Sequence, residues 1–336
     1  MMQSKRVWVL WVAVLVLLMG VLSSLEKVYG AEATKYPERD IVCIVPAVPG
    51  GGFDVISRAA APYLRKYLPK PVNVIVQNIP AAGGRVGAYQ IYDAKPDGYT
   101  FGIVDPMIFV VAEAMRELGK RDIMHMTWLP KVSSHPYAMA VSPQSPIQKI
   151  EDLKRKKGQK VYASASQFTI ACTVIFLRFL GVEPQVVIYG GGAESCLAAM
   201  RGDVDLVIQV GGTVLRQAEA SGGKLIPLAV FSEKRLDVAP NVPTAKELGL
   251  DIPPEIMLFL TYNYVFTAPY GLPADVQKTL NEAILKTLQD PAFVEQLNRA
   301  KLTVDFVPPE EVRKEIAGFS KVVPQYIEAV RQALPK

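Results

Sequence analysis

Two spacings of apolar residues alternate along this chain. Short, nearly continuous runs of Val, Ile, Leu and Ala are separated by longer stretches in which apolar positions return every three or four residues, as on a helix with one buried face. The runs predict strands at 41–46, 72–76, 99–104, 137–141, 160–163, 186–189, 205–209, 225–230 and 263–267. The longer stretches predict helices near 53–68, 84–94, 107–118, 149–156, 169–180, 193–201, 212–221, 244–249, 273–289, 291–299 and 309–332. Strands alternating with helices indicate an α/β protein with largely parallel sheets. Proline and glycine mark the joints. Asp97-Gly98 turns a helix into a strand, Thr244 is placed as an N-cap within "APNVPTAKELGL", and Pro273, Pro308 and Pro309 open helices.

The first residues follow a different rule. Lys5 and Arg6 precede an unbroken apolar run from Val7 to Leu22, and Ala31-Glu32-Ala33 has the small-x-small form of a cleavage site. That order predicts an export signal over 1–33 and places the mature protein in the periplasm. The alternative is an uncleaved membrane anchor, although the run falls short of the ~20 residues that span a bilayer. No later segment is long and apolar enough to span one. Removing 1–33 takes Lys5, Arg6 and Lys27 against Glu26 and Glu32, so the net charge of +5 falls by one. The remaining basic residues are scattered, and the one cluster, Lys154 to Lys157, reads as a solvated helix end rather than a nucleic-acid surface.

Cysteine and histidine add little. Cys43 lies inside the first strand as a small hydrophobe, while Cys172 and Cys196 each lie early in a predicted helix, where an oxidising compartment would permit a bond between them. His125 and His135 read as surface or hinge residues, and no metal-ligand spacing occurs. Neither a cofactor nor a metal is expected.

The candidate chemistry lies in the turns that leave the strands. After 41–46 comes "VPGGGFD", after 72–76 "NIPAAGGRVG", after 186–189 "GGGAES", and after 160–163 the hydroxyl-rich "SASQFT". In parallel sheets such turns gather at the carboxyl ends of strands, where ligands bind. Each offers N–H groups at a helix start, backed by the helix dipole, which makes a site for anions. The pattern argues against a nucleotide: Val55 stands where a dinucleotide fingerprint needs glycine or alanine, no acid follows at the ribose position, and no Gly-Lys-Ser/Thr occurs. Neither serine-rich turn forms the elbow of a serine hydrolase, no histidine lies near one, and no paired carboxylates stand out.

Six segments, "YPERDIVCIVPAVPGGGFDVISR", "VIVQNIPAAGGRVGA", "PDGYTF", "RGDVDLVI", "APNVPTAKELGL" and "TAPYGLP", resemble the periplasmic solute-binding proteins of tripartite tricarboxylate transporters, the Bug family. The resemblance runs in the same order from about Tyr36 to the last helix. It implies a type II periplasmic-binding-protein fold, with two α/β lobes around a ligand cleft. Lobe one would comprise 36–133 plus 258–336 and lobe two 134–257, with crossings near Ser133–Tyr137 and Leu258–Tyr264. It further implies a non-enzymatic protein, monomeric when mature, that captures a small organic anion of the carboxylate class and delivers it to integral membrane transporter subunits. An accessory protein for a membrane sensor and an exported enzyme acting on a small carboxylate are the alternatives.

In that family the turns after the first two strands hold a carboxylate through backbone groups and ordered water. Carried onto this chain, they assign Pro49, Gly50, Gly51 and Gly52, then Ala82, Gly83 and Gly84. The other lobe would contribute Ser164, Ser166 and Thr169 from "SASQFT", and Tyr189. Asp54 would brace the helix start. The chain departs from the family in four places: Phe53 replaces a small hydroxyl residue, "SASQFTIAC" replaces a glycine-rich segment ending in histidine, "IYGG" replaces a "PYKG" turn, and Tyr262 or Asn263 stands near the place of a tryptophan. Asp105 and Arg85 are also unusual. They would pair with each other, or Asp105 would receive an amino group of the ligand, or both would be solvated surface charges.

Overall fold

The computed structural model of the protein describes residues 36–166, 168–300 and 302–333. The export signal expected at 1–33 lies outside the described residues.

Strand β1 (Ile41–Val45) has four of its five residues buried, which is why its sequence is a continuous apolar run rather than an alternating one. It lies between β2 (Val74–Asn78) and β3 (Thr100–Val104), parallel to both. Strand β9 (Thr261–Ala268) then adds antiparallel to β3 through Gly102↔Thr267. The long strand β4 (Thr127–Val141) joins the two halves of the molecule. Its first part, to Pro136, pairs with β9, and from Tyr137 onward it pairs with β7 (Leu206–Val210) and β8 (Ile226–Val230). Strand β5 (Lys160–Ser166) lies parallel to β7 on one side and β6 (Glu183–Tyr189) on the other. The spatial order is β2-β1-β3-β9-β4-β7-β5-β6, with β8 on β4.

The expectation of largely parallel sheets therefore needs correction. β4 and β9 run antiparallel to every strand they touch, because they carry the chain between the halves and meet both sheets against their βα direction. β4 also begins ten residues earlier than the predicted strand at 137–141. The added stretch, "TWLPKVSSHP", holds two prolines; register shifts between Trp128 and Ser133 absorb the first, and the second sits where the strand changes partners. Pro184 in β6 is tolerated for a simpler reason: β6 is an edge strand.

The helices cover both faces. α1 (Gly52–Tyr67) buries Ile56, Ala59, Ala60 and Leu64 and packs against α9 (Ala274–Gln289). On β1's side of the cleft lie α2 (Arg85–Tyr92) and α3 (Met107–Ala114). The other half carries α4 (Ile150–Arg155), α5 (Ile170–Phe179), α6 (Gly192–Arg201), α7 (Gly211–Ala220) and the short α8 (Pro254–Met257). α10 (Pro291–Arg299) follows α9, and α11 (Pro309–Ala333) packs on β4, α3 and α5, touching both halves.

Two further expectations change. No helix forms at 244–249; Thr244 and Glu247 do cap each other reciprocally at 3.1 and 2.8 Å, but Gly249, at φ +70°, ends the turn at once. Cys172 and Cys196 do not pair. All three cysteines are free and buried, and Cys172 donates its S–H to the Thr169 carbonyl at 2.9 Å in a core cluster separate from that of Cys196.

Candidate ligand-binding cleft

The turn after β1 is built by an acid. Gly50, at φ +82°, reverses the chain, and its N–H donates to Asp54 Oδ2 at 2.8 Å. Arg58 Nε donates to Asp54 Oδ1 at 2.9 Å and Arg58 Nη2 to Asn78 Oδ1 at 2.8 Å, tying the helix to β2. Burial raises the Asp54 carboxyl, but the Gly50 bond and the Arg58 and Asn78 contacts outweigh it and hold the group below its ordinary value. Asp54 thus braces the start of α1, as its position suggested. The first N–H groups of the helix, from Gly52, Phe53 and Asp54, have no carbonyl four residues back within it, and the dipole leaves them partly positive.

The second turn is tighter. Gly84 N–H bonds Pro80 and Ala81 carbonyls at 2.9 and 3.1 Å, and the Arg85 and Val86 N–H groups turn back to Ala82 and Ala81. Three consecutive residues, Ala82 to Gly84, have positive φ. These N–H groups mostly close the turn on itself, so the donors facing the cleft on this side come chiefly from the start of α1.

Across the cleft, one side chain organises the wall. Gln209, on β7 and 2% exposed, donates through Nε2 to Thr169 Oγ1 at 3.0 Å and to Ser195 Oγ at 3.2 Å. Thr169 Oγ1 also accepts the Ser166 N–H at 2.9 Å, and Ser195 Oγ–H reaches the Gly191 carbonyl at 3.0 Å. Gln209 therefore locks the turn after β5 to the turn after β6. Glu194 repeats the role of Asp54, accepting the N–H of Gly190, four residues earlier, at 2.7 Å.

Between the two walls stand aromatic rings. Phe53 packs on Tyr264 at 4.8 Å, Tyr262 at 5.4 Å and Phe168 at 6.1 Å between centroids. A Cβ on residue 52 would fall 2.2 Å from the Tyr264 hydroxyl, so glycine there lets the phenol close on the helix start. His135, on β4, sits edge-on to Tyr264 at 5.4 Å, with Nε2 3.2 Å from Ser133 Oγ. Burial lowers its pKa, which keeps the ring neutral near pH 7.

These walls enclose a cavity of about 430 Å³. Of the residues expected at the site, Gly50, Gly51, Gly52, Gly83, Gly84, Ser166 and Thr169 line it. Pro49 and Ala82 are exposed on their loops outside the lining, and Tyr189 is half-buried outside it. Ser164 is fully buried, its hydroxyl donating to the Ser195 carbonyl at 2.8 Å. The lining also holds Phe168, which lies in the expected "SASQFT" turn without being singled out, and His135, Gln209, Thr213, Arg216, Tyr262 and Tyr264, none of which the sequence pattern placed at the site. A signal for two of them existed: "VGGTVLR" is a further glycine turn after a strand, and it carries Thr213 and Arg216 into the cleft.

Asp105 and Arg85 are not partners. Arg85 Nε pairs with Glu117 Oε2 at 2.7 Å. Asp105 is 1% exposed and lies outside the lining, its oxygens accepting N–H groups from Met107 at 3.0 Å and Asn263 at 3.3 Å. It is neither a surface charge nor in reach of a ligand amine; it fastens α3 to β9 beneath the cleft. Desolvation pushes its carboxyl up to about 7, against the Met107 and Asn263 bonds and the Lys131 charge. From an ordinary 3.8 when unfolded, the folded protein holds the extra proton between those values, so Asp105 favours folding most below about pH 4, and that advantage is lost as pH rises through 7. Urea unfolding of Asp105→Asn beside the unaltered protein should show the latter's relative stability falling from pH 5 to pH 8. An equal difference at both would contradict the assignment.

Comparisons with known proteins agree with this architecture. A family model described as "Tripartite tricarboxylate transporter family receptor" matches residues 56–329. BugT of Bordetella pertussis is 28% identical over 293 residues, covering 85% of this chain and 87% of its own. A TctC solute-binding protein from Polaromonas, solved without ligand, superposes with a TM-score of 0.67 at 23% identity, over 88% of this chain and 99% of that one. An R. palustris protein solved with adipate gives a TM-score of 0.67 at 22% identity, over 88% and 98%.

Proposed function

The chain belongs to the family of tripartite tricarboxylate transporter receptors, and from that membership we propose that it captures a small carboxylate in the periplasm and passes it unaltered to a membrane transporter. The observation that carries the carboxylate is the character of the cavity. It combines the N–H groups at the start of α1 with the guanidinium of Arg216, and among the described residues no Asp or Glu side chain belongs to its lining. Such a cavity favours an anion, and hydrogen bonds from backbone N–H groups to a carboxylate are of the strong, charge-assisted kind. The adipate held by the R. palustris structure is in keeping with this class. Export through the apolar leader at 7–22 puts the protein where such acids arrive.

In this reading the halves act as lobes, 36–133 with 258–336 and 134–257. They hinge where β4 changes partners at Pro136 and where Leu258–Leu260 leads into β9. A ligand closes them only by binding the closed form better than the open one.

Thermal melts with a panel of mono- and dicarboxylates test the proposal. A ligand at a hundred times its Kd adds roughly 2.7 kcal/mol to the folded state, so at least one acid should raise Tm clearly. Gly51→Val should remove that response while leaving the unliganded Tm nearly unaltered. Gly51 has extended backbone, at φ −76° and ψ 169°, and an added Cβ meets only the Val48 carbonyl, at 3.5 Å, whereas the valine crowds the approach to the α1 N–H groups. We expect at least a tenfold loss of affinity. A flat response to every acid would sink the carboxylate reading.

A further inference from the structure

Among the described residues, Arg216 is the one with a formal charge in the cavity lining once His135 is neutral. The other arginines beside the turns of the cleft are engaged: Arg58 pairs with Asp54 at 2.9 Å and Arg85 with Glu117 at 2.7 Å. Arg216 has no acid partner among the described residues. Its one hydrogen bond is a long contact from Nη2 to Thr213 Oγ1, at 3.4 Å, one helical turn back on α7. Its exposure leaves the head group open to the cavity's solvent. Glycine at 212 helps, since a Cβ there would stand 3.4 Å from Nη1.

Its position is as informative as its charge. α7 follows β7 and belongs to the half built around β5, β6 and β7, whereas the N-terminus of α1 follows β1 in the other half. The α1 N-terminus thus lines the cavity from one half, and Arg216, together with the glycines at the α6 N-terminus, lines it from the other. The same lining carries Phe53, Phe168 and Tyr262, mutually packed at 5.4–6.1 Å and offering no charge. Positive groups on both halves and an apolar wall match one kind of molecule.

Resting on the carboxylate reading above, we propose that Arg216 is a specificity-determining residue. It binds the second acid group of an α,ω-dicarboxylate whose first acid group sits at the start of α1 and whose apolar spacer lies along the aromatic wall. A diacid then touches both halves at once and bridges the cleft, whereas a monoacid engages one half strongly and leaves Arg216 solvated. The guanidinium suits the task because its planar donors bind a carboxylate in bidentate fashion.

The test is isothermal titration of the full mature chain with succinate, adipate and suberate, each beside the monoacid of the same carbon count, at fixed salt. The unaltered protein should bind at least one diacid tenfold or more tighter than its matched monoacid. In Arg216→Gln that ratio should fall to near one, and Arg216→Lys should keep part of it. A ratio preserved in Arg216→Gln, with both acids weakened by the same factor, overturns the proposal. So does an unaltered protein that binds mono- and diacids equally, a result that leaves the carboxylate reading standing. Binding of no acid at all overturns both.

Discussion

Gly84→Ala is expected to destabilise the protein by about 3 kcal/mol or more, through left-handed backbone strain added to a steric clash. Gly84 has φ +88°, and a Cβ built on it lies 2.2 Å from the Pro46 carbonyl oxygen, a backbone atom that cannot rotate away. Pro46 begins the turn after β1, so relief of the clash must separate the first two turns of the cleft. At roughly 2–4 °C per kcal/mol for domains of 150–250 residues, Tm should fall by about 6–12 °C. Gly50→Ala supplies the comparison. Gly50 has a similar φ of +82° but nothing within 4 Å of its Cβ position, so strain alone acts there, at about 1–2 kcal/mol. Urea unfolding of the two variants separates strain from contact. If Gly84→Ala loses no more stability than Gly50→Ala, the close approach to Pro46 is not a constraint on the fold.

That pair also shows what the sequence could reveal of this site. "VPGGGFD" and "AAGGRVG" read as equivalent nests, and both do border the cavity. Their chemistry differs for reasons of geometry alone: the first turn has an acid four residues on that takes one N–H and leaves the next ones facing the cleft, while the second closes on its own carbonyls. Local pattern specified that each stretch turns; the partners of its N–H groups depended on Asp54, Arg58 and Pro80 in three dimensions. β1 was legible because a strand buried on both faces needs no alternation, whereas the first ten residues of β4 were not, because proline at 130 and 136 argues against a strand unless bulges and a change of partner accommodate it.

Arg216 was legible only as part of a glycine turn, "VGGTVLR", and not as a side chain of the cleft. An arginine in the second turn of an amphipathic helix belongs, on pattern, to the solvated face, and only the placement of α7 against β4 turns that face toward the cleft. The aromatic wall draws on residues 53, 168 and 262–264, segments separated by about a hundred positions each, so no window of sequence contains it. Asp105 illustrates the converse. As an acid in a strand-to-helix turn it looked available to a ligand, yet burial and two backbone N–H groups make it a fastening of the floor.

Phe53→Ser is the sharpest test of that wall, because it restores the small hydroxyl residue that the family resemblance leads one to expect at this position. Phe53 is 2% exposed and its ring touches Tyr264, Tyr262 and Phe168. Truncating a buried phenylalanine costs about 3–5 kcal/mol, and because this ring borders a cavity that water can enter, the lower end of that range is expected. The ring's removal should also deepen the cavity and replace apolar wall with a hydroxyl. Binding of a spacer-rich diacid such as suberate should then weaken several-fold relative to succinate, since a longer methylene chain loses more apolar contact. Chemical unfolding gives the first quantity and titration of the two diacids the second. A variant that loses stability but keeps the same suberate-to-succinate ratio would show that Phe53 serves the core alone, and that the ligand's spacer lies against some other wall of the cleft.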